Sequence, residues 1–208
     1  MQDIFISPLN SGLASWVDAF PKAKITATVN AKPAKTQKIA RLIFWLHMNE
    51  DRQEWLTNTI QLIQKKYENA KIVVLANAPN QAEAFHAMSM GVVAYSHAYS
   101  PAFVLAEIKT VISHGGVWLG QDLLKRIIEV STSLAGNQAE QVNQHLKSLT
   151  KREKEVAVEA AKGLSNKEIA RILKITERTV KAHLSSTFER LGAKDRLHLA
   201  LMLNKKSW

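Results

Sequence analysis

No cysteine occurs among the 208 residues. That absence excludes disulfide frameworks, thiol nucleophiles and Cys-type zinc sites, and it suits a reducing compartment. The eight glycines never gather into a phosphate-cradling loop, and no Gly-x-Ser-x-Gly elbow is present. The seven histidines show no metal spacing such as His-x-x-x-His. No apolar run is long enough to span a bilayer, and no charged leader precedes a small-residue cleavage site. These absences together predict a cytoplasmic chain that is not an enzyme, with no cofactor, no metal and no membrane partner.

What the chain does have is positive charge. Its formal net charge is +10, from 28 basic and 18 acidic residues. Residues 148–208 hold 14 Lys/Arg against 7 Asp/Glu, whereas residues 1–147 hold 14 against 11. The excess therefore sits in the last third of the chain, and it points to a polyanion, because cations placed near phosphates release condensed counterions.

Over the first 115 residues, short β-like runs at 3–6, 24–29, 41–48, 72–76 and 92–95 alternate with longer stretches. This is the rhythm of a doubly wound α/β domain with a five-stranded parallel sheet. Leu42-Ile43-Phe44-Trp45-Leu46 and Ile72-Val73-Val74-Leu75 are apolar at every position, as central strands covered on both faces should be. Helices are expected at 55–67, 81–90, 101–112 and 121–130. From 131 to 144 the composition turns to Ser, Thr, Gly, Asn and Gln, which reads as a linker. The expected division is a domain at 1–130, a linker at 131–146 and a second, all-α domain of four helices at 147–208.

That second domain carries the strongest local signals. Thr150-Lys151-Arg152-Glu153 and Ser165-Asn166-Lys167-Glu168 both fit the capping box, in which a hydroxyl accepts from the N3 amide and a glutamate reaches back to the N-cap amide. A short turn, Lys174-Ile175-Thr176, precedes a third helix whose Val180, Leu184, Phe188 and Leu191 face a core. Arg178, Lys181, Ala182, Ser185 and Glu189 lie opposite, too polar and too basic to be buried. Such a face suits the major groove: Lys181 can donate to guanine O6 and N7, Ala182 can meet a thymine methyl, and Ser185 can serve either base class. The amino end of the second helix, with Asn166 and Lys167, suits a phosphate.

The stretch LTKREKEVAVEAAKGLSNKEIARILKITERTVKAHLSSTFERLGAKDR resembles the LuxR/NarL-type helix-turn-helix family over roughly residues 148–204. The resemblance implies a transcription regulator that binds double-stranded DNA. By that likeness Lys181, Ala182 and Ser185, with Arg178 beside them, read bases, while Asn166, Lys167, Thr179, His183 and Arg196 contact the backbone. It also implies a homodimer formed through the last helix, at 195–204, with Leu199 and Leu203 as the contact candidates, reading two-fold symmetric half-sites.

A βα repeat ahead of such a domain resembles a response-regulator receiver, and GVVAYSHAYSPAFVLAEIKTVISHGGVWLG is similar to the closing third of one. A working receiver needs an acidic pair for Mg²⁺, an aspartate to take the phosphoryl group, and a hydroxyl and a lysine to read it. Here Ser7-Pro8-Leu9 follows the first strand, Trp45 falls at the phosphoacceptor position, Ala76 at the hydroxyl position, and His97 or Ala98 at the lysine position. An indole offers neither an anionic oxygen nor a metal ligand, so phosphoryl transfer to Trp45 is excluded. His47, Glu50 and Asp51 read as a solvated loop. Control is then expected from a protein partner, a small ligand or the dimer equilibrium. One branch of the family binds cyclic di-GMP through Trp-[Phe/Leu/Met]-[Thr/Ser]-Arg. The matching residues here, Trp118-Leu119-Gly120-Gln121, lack the hydroxyl and the arginine, and Trp118 is expected to serve as core or interface.

Overall fold

The computed structural model describes residues 1–9, 11–29, 42–48, 53–134 and 149–204. The described residues form two compact units. One comprises Met1–Pro79 and Ala87–Gly120, and the other Asn80–His86 and the chain from Gln121 onward.

The first unit is built on strands β1 (Gln2–Ile6), β2 (Lys24–Thr26), β3 (Leu42–Met48), β4 (Lys71–Ala76) and β5 (Ala94–His97). All neighbours are parallel, in the order β2-β1-β3-β4-β5. All seven residues of β3 are buried, which explains its uninterrupted apolar run. The fifth strand lies two residues beyond its expected place at 92–95. Trp118 donates its amide to Val93 O at 3.0 Å and accepts from Tyr95 N at 3.3 Å, extending the hydrogen bonding past β5. Its ring packs partly buried against the core. In this order the chain steps from β1 to β2 on one side and then to β3 on the other. The carboxyl ends of β1 and β3 thus form the switch-point crevice where doubly wound sheets place ligands.

Alternation along the strands puts Asp3, Phe5 and Ser7 on one face with Trp45 and His47. Helices α1 (Ala14–Ala19) and α4 (Ala102–Ser113) contribute Trp16, Phe20, Leu105, Ile108 and Ile112 to the core on that face. Phe5 stacks on Trp16 at 4.8 Å and on Trp45 at 5.4 Å between ring centroids. On the other face Phe44 meets Tyr67, just past helix α2 (Gln53–Lys66). Helix α3 (Gln81–Ser89) begins and ends within a residue of its expected bounds. The α1 helix is absent from the sequence reading. It has no capping side chain at Leu13, and at six residues it carries too little periodicity to declare itself.

In the second unit, α5 (Gln121–Leu134) continues four residues into the expected linker. Residues 135–148 lie outside the described ones. Four further helices follow: α6 (Lys151–Ala161), α7 (Asn166–Leu173), α8 (Glu177–Leu191) and α9 (Arg196–Asn204). No helix of the described residues is long and apolar enough to cross a membrane.

Candidate DNA interface

Both capping boxes form. Glu153 N donates to Thr150 Oγ1 at 3.2 Å while Thr150 N donates to Glu153 Oε2 at 2.8 Å. The second box pairs Glu168 N with Ser165 Oγ at 3.2 Å and Ser165 N with Glu168 Oε2 at 2.6 Å. Glu153 does more than cap. It is buried, and its Oε1 accepts from Ser186 Oγ at 2.6 Å with Arg190 Nε at 3.6 Å, so it ties the start of α6 to the middle of α8. The hydrogen bonds from Ser186 and the Thr150 amide hold its carboxyl down to about 2.

The turn between α7 and α8 is set by Lys174, whose φ of 53° is left-handed. Its backbone ends α7, and Ile175 N returns to Ala170 O at 3.0 Å. Thr176 then caps α8, accepting from Thr179 N at 3.1 Å and meeting the Thr179 hydroxyl at 2.8 Å. Val180, Leu184, Thr187 and Leu191 are buried beneath the helix. Phe188, expected to be core, is only half-buried. Gly192, with φ at 65°, closes α8 in a conformation that favours glycine.

On the outer side Arg178, Lys181, Ala182, Ser185 and Glu189 are all exposed, and His183 and Thr179 are half-buried at its margins. Lys167 is exposed at the amino end of α7. Among the described residues, Lys167, Arg178 and Lys181 have no acidic partner at ion-pair distance. Arg196 is different. Its guanidinium donates to Leu164 O and, at 2.8 Å, to Asn166 Oδ1. It joins α9 to the amino end of α7, and it also occupies the side-chain oxygen of Asn166.

Leu199 requires a correction. It is 0% exposed and belongs to the core of its own unit, so it presents no surface to a second copy. Leu203, four residues on, stays half-buried.

In the first unit the receiver positions also differ from expectation. Trp45 is not at the end of β3. It lies mid-strand and wholly buried, with Nε1 donating to Asp3 Oδ1 at 3.1 Å, while Asp3 Oδ2 pairs with Lys109 Nζ at 2.6 Å. The residue reaching the crevice from β3 is His47. It is 3% exposed and so is not part of a solvated loop. Its Nδ1 lies 2.9 Å from Ser7 Oγ and its Nε2 lies 2.8 Å from Asn77 Oδ1, with the Trp16 ring edge-on at 5.0 Å. Asn77 Oδ1 can only accept, so Nε2 donates to it, while the Ser7 hydroxyl can donate to or accept from Nδ1. Ala76 and Ala98 are buried, and His97 is exposed, accepting from Tyr99 N at 3.0 Å. Glu50 and Asp51 lie outside the described residues. Among the described residues no three His, Asp or Glu side chains are grouped to hold a metal.

The sequence reading set His47 with Glu50 and Asp51 as a solvated loop although the expected strand at 41–48 already contained it. Its signal was available: β3 keeps its alternation to Met48, which puts His47 on the Trp45 face.

Residues 147–203 match the family of bacterial regulatory proteins of the luxR type. The chain is 34% identical over 149 residues to the uncharacterized transcriptional regulatory protein YhcZ of Bacillus subtilis, covering 70% of this chain and 67% of that one. Over 62 residues it is 52% identical to the putative HTH-type transcriptional regulator YhjB of Escherichia coli, covering 30% of this chain and 31% of YhjB. A solved structure of two RcsB dimers bound to two parallel DNAs shares the fold, with a TM-score of 0.52 at 16% identity over 98% of each chain. The protein is a transcription regulator with a receiver-like first unit and a helix-turn-helix second unit. It belongs to the LuxR family of bacterial regulatory proteins.

Proposed function

We propose that this regulator binds two-fold symmetric DNA sites as a homodimer through α8, and that it does so without phosphorylation. The observation carrying this reading is the outer face of α8, where Arg178, Lys181, Ala182 and Ser185 stand exposed above a buried apolar face. A helix exposing small and cationic side chains from its first turns is shaped to enter the major groove. Lys181 is assigned to guanine, Ala182 to a thymine methyl, and Ser185 and Arg178 to neighbouring edges. Lys167, Thr179 and His183 flank that face as phosphate contacts. Asn166 and Arg196 act by holding the amino end of α7 in place.

Phosphorylation independence rests on the crevice at the carboxyl ends of β1 and β3, where the described residues Ser7, His47 and Asn77 supply no carboxylate. Leu203 is the dimer contact retained on α9, and RcsB, which shares the fold, was solved as dimers on DNA. The boundary between the two functional parts is proposed at the start of α5 rather than at 131.

The test is selection of random duplexes by the untreated full-length chain, with Lys181→Ala beside it. A two-fold symmetric motif recovered by the first and lost by the second supports the reading. A single asymmetric half-site would overturn the dimer, and enrichment appearing only after acetyl phosphate treatment would overturn phosphorylation independence.

A further inference from the structure

Three helices of the second unit are followed by a residue with left-handed φ. After α6 it is Gly163 at 91°, after α8 it is Gly192 at 65°, and after α7 it is Lys174 at 53°. Glycine reaches that conformation freely, whereas a residue with a Cβ is strained in it. A Cβ added at Gly192 would meet nothing within 4 Å, so backbone conformation rather than space accounts for the glycine there. Among the described residues Lys174 alone has a positive φ without being glycine. The turn between α7 and α8 therefore carries an exposed cation where glycine would sit without strain. Strain retained at such a point indicates a use for the side chain.

The length of α7 says where that cation lies. Lys167 and Lys174 are seven positions apart, about 20° short of two full helical turns, so their Cα atoms follow one face of the helix. Exposed Arg171 stands between them on the same face. At 1.5 Å per residue the two lysines are about 10 Å apart along the axis, and the major groove is about 12 Å wide. A helix of this length reaches from one lip of the groove to the other with a cation at each end. The acid nearest this row, Glu168, is held in its capping box by Ser165 N. Among the described residues no carboxylate lies at ion-pair distance from Lys174.

We propose that Lys174 is a further DNA-backbone contact, taking a phosphate on the strand that faces the one taken by Lys167, so that α7 spans the groove into which α8 inserts. The proposal rests on the groove reading of α8 given above. One residue then acts on folding and on DNA binding with opposite signs: its backbone weakens the fold while its side chain strengthens the complex.

The test uses the full-length chain, the duplex it selects and a scrambled duplex. Lys174→Gly removes strain and charge together. It is expected to raise the melting temperature by a few degrees. It is also expected to weaken both duplexes alike and to lower the salt slope as much as Lys167→Ala does, the two decrements adding in the double variant. Lys174→Arg keeps the charge and should keep the slope. Phosphate-ethylation interference then identifies the strands: the Lys167→Ala and Lys174→Gly chains should each become indifferent to ethylation of one phosphate, on opposite strands of a half-site. If Lys174→Gly binds both duplexes with the wild-type slope while Lys181→Ala still loses the selected one, the contact is overturned and the groove reading stands. Indifference on the same strand overturns the spanning of the groove, and a lower melting temperature for Lys174→Gly overturns the argument from strain. If Lys181→Ala binds the selected duplex as tightly as wild type, the groove reading falls and this proposal falls with it.

Discussion

Arg196 at the start of α9 donates to Asn166 at the start of α7 across 2.8 Å, and the same guanidinium reaches Leu164 O. One planar fork thereby fixes the entry to the helix-turn-helix from outside it. Arg196→Met should cost about 1 to 3 kcal/mol, the range for a hydrogen bond to a charged group together with the acceptor it orphans. Arg196→Lys should recover little, because an ammonium cannot span both acceptors with the same geometry. Urea unfolding of both variants checks the cost. Duplex binding should fall by the same factor on preferred and scrambled sequences. A selective loss on the preferred sequence would show instead that Arg196 reads bases.

Lys167 and Lys181 carry the same charge on different elements and should fail differently. Lys181→Ala should cost about 1 to 3 kcal/mol on the preferred duplex and little on a scrambled one, since a base-edge contact is lost. Lys167→Ala should weaken both duplexes alike and lower the salt slope by about 0.9, the signature of one phosphate contact. Titrations at several salt concentrations separate the two, and equal losses from both variants on all sequences would refute the division of roles.

Glu153 should make the second unit sensitive to acid. Its folded value of about 2 lies below the ordinary 4.5, so the unfolded chain takes up its proton first as pH falls. The stabilisation is whole above about 4.5 and is lost on descending toward about 2. Glu153→Gln should be less stable at neutral pH, and its stability should change less between pH 5 and pH 2.5, as followed by denaturant unfolding.

Thr187 is wholly buried in α8, and among the described residues its hydroxyl has no hydrogen-bond partner. Thr187→Val keeps the shape and removes that penalty, so it should stabilise the protein by about 1 kcal/mol. A thermal melt decides it, with a lower melting temperature counting against the reading.

The helix-turn-helix was legible residue by residue because its signals are local. The Thr150 and Ser165 boxes, the Thr176 cap and the Gly192 stop each act within a few positions of the residue that encodes them. The five strands were legible as apolar runs, though β5 lies two residues later than its run suggested. What could not be read depends on distant partners. Trp16 belongs to a helix without a capping side chain, and its place is fixed by a 2.8 Å bond from Nε1 to Ala98 O, 82 residues away. Trp45 aligns with the phosphoacceptor position, yet it lies mid-strand in β3 with its indole in the core, bonded to Asp3 from a neighbouring strand. The complete burial of Leu199 depends on neighbours from other helices, α6 and α5 among them packing on α9. Periodicity within α9 cannot report what covers it.

The sheet order has a kinetic consequence. β1 pairs with β3 some 40 residues later, Gln2 opposite Leu42, and β5 can join only after β4 is in place. Closing such distant parallel pairs costs loop entropy before any contact rewards it, whereas the backbone hydrogen bonds of α6 to α9 close within each helix. The helical reader should therefore form fast, and the sheet should set the pace at which the whole chain matures. A substitution slowing β1–β3 pairing would lengthen the time a competent DNA-binding unit exists beside an unfinished first unit, without changing one residue that touches DNA.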